Sequence, residues 1–547
     1  MTNRRLVAAV IVVAVLVLGV VAALTVPRLL AQPVGGPPHY VDEAVAAGVV
    51  HAYTGDFDYF VGGGVAAFDC NADDRPDLYF AGGDSPAALF VNGSPRGGAL
   101  AFAALPSPVT DLTAVTGAYP IDIDGDGITD LAVLRHGENV LLRGTGNCQF
   151  ERANEQWDFA GGNEWSTAFS AKWDAGSQWP TLAVGNYLTP ESQSGVQQCV
   201  ANQLFGPAST GAGFGAPVAL TPSWCSLSML FTDWDRSGRR DLRVSNDRHY
   251  YGETSGGQEQ LWRVAPGQAP VEYTAADGWK QVKVWGMGIG DYDVNDDGYP
   301  DYSLTSQGDQ KLQTLADRPD QPTYMDVALK MGTTATRPYT GDTTLPSTGW
   351  HSEFQDVNND GLVDLYISKG NIDQVADYAM NDPSNLMLGQ PGGTFVEAGA
   401  DAGIASFDKA RGAAIVDLNG DGLLDLVIVD RVSNVRVYRN VGSGTADSPQ
   451  QMGNWIGVQL AQDGPNRDAI GSWLEVKTDA GTQQRELTIG GGHVSGELGP
   501  VHFGLGQATS AQVRITWPDG TQGDWQTVTS NQTYNISPGA APAVVAQ

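Results

Sequence analysis

The chain has 547 residues, with 62 Asp and Glu against 31 Lys and Arg and a formal charge of −31. The length is too great for one ordinary domain, and the acidic balance excludes a nucleic-acid binder, whose contact face is basic. Gly (69) and Pro (30) together outnumber all charged side chains, which excludes a helical bundle and favours an all-β chain of short strands joined by turns.

At the N-terminus, Arg4 and Arg5 precede an uncharged apolar run of 21 residues, Leu6 to Val26. At about 1.5 Å per residue this spans the ~30 Å hydrocarbon core of a bilayer. A secretory signal carries a shorter apolar stretch, about 7–15 residues, and a small-residue cleavage site. Around Leu30–Ala31–Gln32 such a site is poor. Residues 1–32 therefore read as an uncleaved membrane anchor, with a cleaved signal as the alternative. The positive flank keeps the N-terminus cytoplasmic and the remainder outside. Both readings export the chain, to the cell membrane as a single-pass protein or into the medium.

Residues 33–445 are organised by a repeat. Six segments share one frame: an acid at position 1, Asp or Asn at 3, Asp or Ser at 5, usually Gly at 6, and Asp at 9. The first loop is Asp69, Asn71, Asp73 and Asp77, with Asp74 in the glycine position; the second is Asp122, Asp124, Asp126 and Asp130. The third is Asp233, Asp235, Ser237 and Asp241, and the fourth Asp293, Asn295, Asp297 and Asp301. Asp356, Asn358, Asp360 and Asp364 form the fifth, and Asp417, Asn419, Asp421 and Asp425 the sixth. Successive loops begin 53, 111, 60, 63 and 61 residues apart. The double gap hides a degenerate copy, Trp173–Asp174 through Thr181–Leu182, which has lost most of the frame.

Each copy reads as four short strands, with a small-residue run such as Gly412–Ala413–Ala414–Ile415–Val416 before the loop. Seven such units predict a seven-bladed β-propeller, with the Gly- and Ala-rich strands innermost. Tyr40–Val49 has the form of the fourth strand and linker at Phe395–Ile404, while the last copy ends near Asn440 without a fourth strand. The N-terminal segment is thus expected to complete the last blade and close the ring.

Four cysteines, Cys70, Cys148, Cys199 and Cys225, include no C-x-x-C pair. Outside the membrane an even count implies two disulfides, in one of three connectivities. Cys199–Cys225 would staple one insertion and Cys70–Cys148 would tie neighbouring repeats.

Carboxylates at positions 1, 3 and 5 of a tight turn aim at one centre, and Asp at 9 returns from the next strand. Calcium takes six to eight such oxygens at about 2.3–2.6 Å. Asx residues also make ordinary turns, but six copies in one frame argue for up to six Ca2+ sites. Such ions would supply twelve positive charges against the −31.

The loops resemble FG-GAP/VCBS-type repeats, as in integrin α-chain propellers and cartilage acidic protein. After them come NWIGVQL at 454–460, Asn466–Arg467–Asp468–Ala469–Ile470–Gly471 and Gly490–Gly491–Gly492. His502–Phe503–Gly504–Leu505–Gly506 and Val513–Arg514–Ile515–Thr516–Trp517–Pro518–Asp519–Gly520 follow. These strings resemble the ASPIC/UnbV domain, here a small β-domain over 446–537, and 538–547 reads as a disordered tail. The resemblance implies extracellular, calcium-dependent interaction with a protein or glycan, and no catalytic residues. The enzymatic alternatives are Asp247–Arg248–His249–Tyr250–Tyr251 and Trp350–His351–Ser352–Glu353, where a His beside acids could transfer protons to and from a glycan. A third reading is a scaffold of an envelope or biosynthetic complex.

Overall fold

The structure, a computed structural model, describes residues 36–189, 198–247, 258–280, 282–316 and 319–545. The anchor expected at Leu6–Val26, and Arg248 to Tyr251, lie outside them. Among the described residues no helix is long and apolar enough to cross a membrane. The molecule is all-β.

Seven sheets among the described residues are each built on four antiparallel strands, the first gaining a fifth, parallel strand and the seventh taking its outer strand from the N-terminus. Their innermost strands are Val65–Phe68, Val115–Ile121, Ser166–Lys172, Ser226–Thr232, Gly286–Tyr292, Gly349–Gln355 and Lys409–Val416. Each packs against the next, and the seventh returns to the first. Six of the seven second strands begin on the position-9 Asp, as in Asp77–Phe80 and Asp425–Arg431; the degenerate copy begins on Thr181. Every Asp loop therefore lies at the same end of its inner strand. In sheets two to seven the inner strand carries a register shift near its start, for example between Ser226 and Ser228. Such bulges bend and twist a strand.

Apolar side chains fill the spaces between adjacent sheets. Ala168, Ala183 and Leu204 of the third sheet meet Met229, Phe231 and Leu242 of the fourth in one buried cluster. The N-terminal strand Tyr40–Asp42 pairs with Arg436–Asn440, Tyr40 opposite Asn440, as the outer strand of the seventh sheet. Segments 400 residues apart, Tyr40 and Asn440, are thereby joined in one sheet, and an open edge is removed.

The C-terminal region forms two further four-stranded sheets around a shared core that includes Ile456, Leu474, Phe503, Ile515 and Trp517. One correction concerns the tail: Ala543–Val544 pairs with Tyr534 and Asn535, and Val545 N donates to Thr533 O at 2.9 Å. Strand Gln532–Ile536 offers an edge of backbone groups, and small residues need no pocket to pair with it.

Between these sheets, a segment from Thr488 to Leu498 leaves the C-terminal domain and runs down the axis of the ring. Bridges join Ile489 to Ala171, Gly490 to Leu230, Gly492 to Ile289 and Ser495 to Ala118, and Gly496–Leu498 lies parallel to Ala66–Phe68. Gly491 N donates to Met229 O at 2.7 Å and Gly492 N to Ile289 O at 2.6 Å. The sixth and seventh sheets are reached through His493 N to His351 Nδ1, 3.2 Å, and Ile415 N to Glu497 Oε1, 2.5 Å. The axial segment explains why the inner strands are so poor in side chains. A Cβ on Gly64 or Gly117 would sit 1.8 or 2.2 Å from the Val494 carbonyl oxygen.

Candidate metal centres

Within each loop the side chains hold their own backbone first. The position-1 carboxylate accepts the amide of position 6: Gly127 N to Asp122 Oδ2 at 2.9 Å, Gly361 N to Asp356 Oδ2 at 2.8 Å, Gly422 N to Asp417 Oδ2 at 2.7 Å. The position-5 carboxylate accepts the amide of position 7, as Ile128 N to Asp126 Oδ1 and Leu362 N to Asp360 Oδ1. These Asx turns orient the carboxylates without a cation. Position 6 lies at φ +81° to +89° where it is glycine, the left-handed region that a side chain resists. Asp74 takes φ +62° in the first loop, and Asp is among the few side chains that do so readily.

Position 9 is the fastener. Asp130 accepts Ile123 N at 2.7 Å and Gly144 N at 2.8 Å, and Asp364 accepts Val357 N and Gly389 N in the same way. One carboxylate thus joins the loop, the second strand and the third. The third loop departs from this: Asp241 receives Trp234 Nε1 at 3.0 Å and Tyr273 Oη at 2.6 Å. In the fourth, Asp301 Oδ1 is buried and has no hydrogen-bond partner.

Among the described residues the second loop alone brings three predicted carboxylate ligands into one tight group. In the second loop, oxygens of Asp122, Asp124 and Asp130 lie within 4.8 Å of one another. The counter-charges differ between loops. Arg75 pairs with Asp73 at 2.7 Å; Arg143 pairs with Asp124 at 2.6 Å and Asp126 at 2.5 Å; Arg239 pairs with Asp235 at 3.3 Å and Asp241 at 3.1 Å. Among the described residues no Lys or Arg comes within 4.0 Å of a carboxylate at positions 1, 3, 5 or 9 of the fourth, fifth or sixth loop.

Burial raises carboxylates on both sides of this division. Burial pushes Asp77 and Asp122 up to about 7 and Asp130 to about 8. In the fourth loop, burial and then repulsion from Asp297 and Asp293 push Asp301 up to about 9. Asp356, Asp364 and Asp425 are raised well above the carboxylate range by burial and by neighbouring loop carboxylates. A divalent cation would reverse this cost. The donor set is all oxygen, and calcium takes a variable six to eight such ligands, so these residues fit calcium. The degenerate copy has its own solution: Lys172 Nζ lies 3.0 Å from Asp174 Oδ1 and donates to Val264 O at 2.7 Å.

Both expected cystine pairs are present, Cys70–Cys148 and Cys199–Cys225, with Cα separations of 4.6 and 4.7 Å. The first clamps position 2 of the first loop to the second sheet. The enzymatic alternatives fare differently. His351 is buried on an inner strand, Nε2 3.2 Å from Glu353 Oε2, with His493 of the axial segment against it. Burial and then the Arg411 charge depress His493 to about 3. Asp247 lies at the other mouth of the ring, where Phe57, Trp165, Tyr187 and Trp350 line a shallow pocket and Tyr187 Oη donates to Asp247 at 2.5 Å.

A family model described as "FG-GAP-like repeat" matches residues 69–133 and 356–428, and one described as "ASPIC and UnbV" matches 462–543. The chain carries FG-GAP-like repeats and an ASPIC/UnbV domain. No curated protein matches it. Among solved structures, BBS1N in complex with ARL6DN is 10% identical, covering 77% of this chain and 100% of that one at a TM-score of 0.41. AofleA from Arthrobotrys oligospora is 9% identical, over 62% of this chain and 86% of its own, at 0.32. An Agrocybe aegerita protein whose structure concerns recognition of non-reducing terminal N-acetylglucosamine is 14% identical, over 67% and 74%, at 0.29. The FG-GAP match starts on Asp69, position 1 of the first loop, and the ASPIC/UnbV match runs past residue 538 into the strand that closes the C-terminal sheet.

Proposed function

We propose that this chain is an exported, calcium-binding, seven-bladed propeller that acts as a non-catalytic interaction module at the cell surface, akin to cartilage acidic protein. The FG-GAP-like repeats suggest a surface or adhesion-type propeller module. One observation carries the calcium reading: among the described residues, buried carboxylates of the fourth to sixth loops raise one another's pKa with no Lys or Arg within 4.0 Å of them, and Asp301 Oδ1 is buried without a hydrogen-bond partner. Buried charge of one sign is retained where a counter-ion offsets it. When bound, calcium supplies that charge and holds loop geometry; this chain's carboxylates and turns do the positioning. Residues 1–32 hold the module to the membrane, and its partner is an extracellular protein or glycan.

Immobilised 33–547 chain should retain surface proteins or glycans from producing cells in calcium and release them in chelator. Retention indifferent to calcium, or turnover of a glycan lost with His351→Ala, would contradict this reading.

A further inference from the structure

We propose that calcium in the second, third and fifth loops seats the C-terminal domain on the ring, and with it the axial segment. This rests on the calcium reading above and adds what the loops hold.

Position 4 of every loop is left-handed: φ is +60° at Ala72, +72° at Gly125, +57° at Arg236, +59° at Asp296, +59° at Asn359 and +70° at Gly420. With the carboxylates of positions 1, 3 and 5 turned inward, the peptide at position 4 forms the apex and faces out. Three apices are gripped by the C-terminal domain. Arg467 Nε donates to Gly125 O at 2.6 Å. The Arg236 guanidinium lies 3.8 Å over the Trp473 ring and donates to Gln484 Oε1 at 3.3 Å. Asn359 O accepts Gly506 N at 2.9 Å, and Asn359 Oδ1 meets His502 Nε2 at 2.6 Å.

These contacts are made by apex atoms, and the domain also reaches the ligands themselves, Trp473 lying beside the Asp233 carboxylate and Gly504 against Asp356 Oδ2, so metal and domain act on the same turn. In an empty loop the apex rests on the Asx hydrogen bonds alone, and in a filled one the cation fixes it as well. Two ligands that favour one conformation strengthen each other equally. The axial segment is the part with most to lose. It has no core of its own, and Leu487 leads into it directly from the strand that ends at Glu486. Glu486 itself accepts Asp233 N at 2.9 Å and Thr232 Oγ1 at 3.1 Å behind the third loop.

The test is hydrogen exchange of the full chain in calcium and in chelator, below the temperature of global unfolding. Amides of Gly491 and Gly492 should exchange at least tenfold faster in chelator, while amides of Asp425–Arg431 stay protected. A variant carrying Arg467→Ala and Trp473→Ala should bind the same number of calcium ions with affinity weakened several-fold, and expose Gly491 and Gly492 even in calcium. Calcium bound at full count, with exchange at 491–492 unmoved by chelator, overturns the coupling and leaves the calcium reading standing. No calcium bound overturns both. Should the chelated protein unfold outright, the affinity of the variant decides: an unchanged calcium affinity overturns the proposal.

Discussion

The first three Asp loops and the last three share one frame and differ in what faces their carboxylates. Arg75, Arg143 and Arg239 reach into the first, second and third. Among the described residues the fourth, fifth and sixth have no such ion pair, Arg96 and Arg439 acting on Asp421 from farther off. Their position-9 carboxylates Asp301, Asp364 and Asp425 are displaced upward by burial first and neighbouring carboxylates second, as burial displaces Asp77 and Asp130 in the first two. A repeat can thus keep its turn geometry while changing its electrostatics. The hydrogen bonds of the Asx turn are local and survive in every copy, whereas the counter-charge comes from elsewhere in the fold. The degenerate copy is the limit of this trend, with Lys172 beside Asp174 and no acid left at positions 1, 3 or 9.

The largest effect expected is of pH in the absence of calcium. Asp293, Asp301 and Asp417 have folded pKa values of about 7, 9 and 7, above the ordinary carboxylate range, burial being the main cause. A raised carboxylate pKa means the folded state binds the proton more tightly. Its stabilising contribution is full below about pH 4, the unfolded value, and is lost as pH rises through the folded values. Chelated protein should therefore melt progressively lower from pH 4 to about pH 9, and calcium should flatten that slope. A chelated melting temperature that rises over this interval would break the account of the last three loops.

Next in size are the covalent ties. Cys70–Cys148 closes a separation of 78 residues and Cys199–Cys225 one of 26, each contributing about 3–5 kcal/mol in a chain-entropy model. Because Cys70 is position 2 of the first loop, replacing Cys70 and Cys148 with Ser should make that loop's order depend on calcium. Exchange protection across residues 69–77, with and without calcium, measures it.

A smaller and more pointed comparison uses one position in two loops. Asp421→Asn and Asp126→Asn both keep the amide acceptor for position 7 and remove one charge. Asp421→Asn should lose one calcium ion and a distinct part of the calcium-induced rise in melting temperature, about 2.7 kcal/mol at hundredfold saturation. Asp126→Asn should lose less, since Arg143 already competes there. Equal losses would show that the arginines yield without cost. Conversely, Arg143→Ala should tighten calcium binding at the second loop several-fold by calorimetry. Smallest of all, Asp174→Ala should change neither the calcium count nor its affinity.

Much of this was legible in the residues, and the illegible parts share a cause. Positions 1, 3, 5, 6 and 9 are read by side-chain type, so the loops, the ring closure through Tyr40–Asp42 and both disulfides could be anticipated. Position 4 could not, because its occupants are Ala72, Gly125, Arg236, Asp296, Asn359 and Gly420. Its role is carried by backbone conformation, which different residues satisfy. The axial segment was hidden for the same reason: Gly490–Gly491–Gly492 is one of the strings that resemble the ASPIC/UnbV domain, yet its amides pair with inner strands. Arg467, Gly504 and Trp455 belong to the strings that signalled the C-terminal domain. In the structure they lie against Gly125, Asp356 and Gly422 of the loops. Sequence identified the domain without revealing that its signature is its contact surface.

The central claim is that the loops hold calcium and that the fold depends on it. Elemental analysis of the purified full chain, paired with melting curves in calcium and in chelator, tests it most directly. The account predicts at least three tightly held calcium ions, from the fourth to sixth loops, and a melting temperature lowered by many degrees in chelator and restored better by calcium than by magnesium. Protein free of calcium, with a melting temperature the same in chelator, would contradict it.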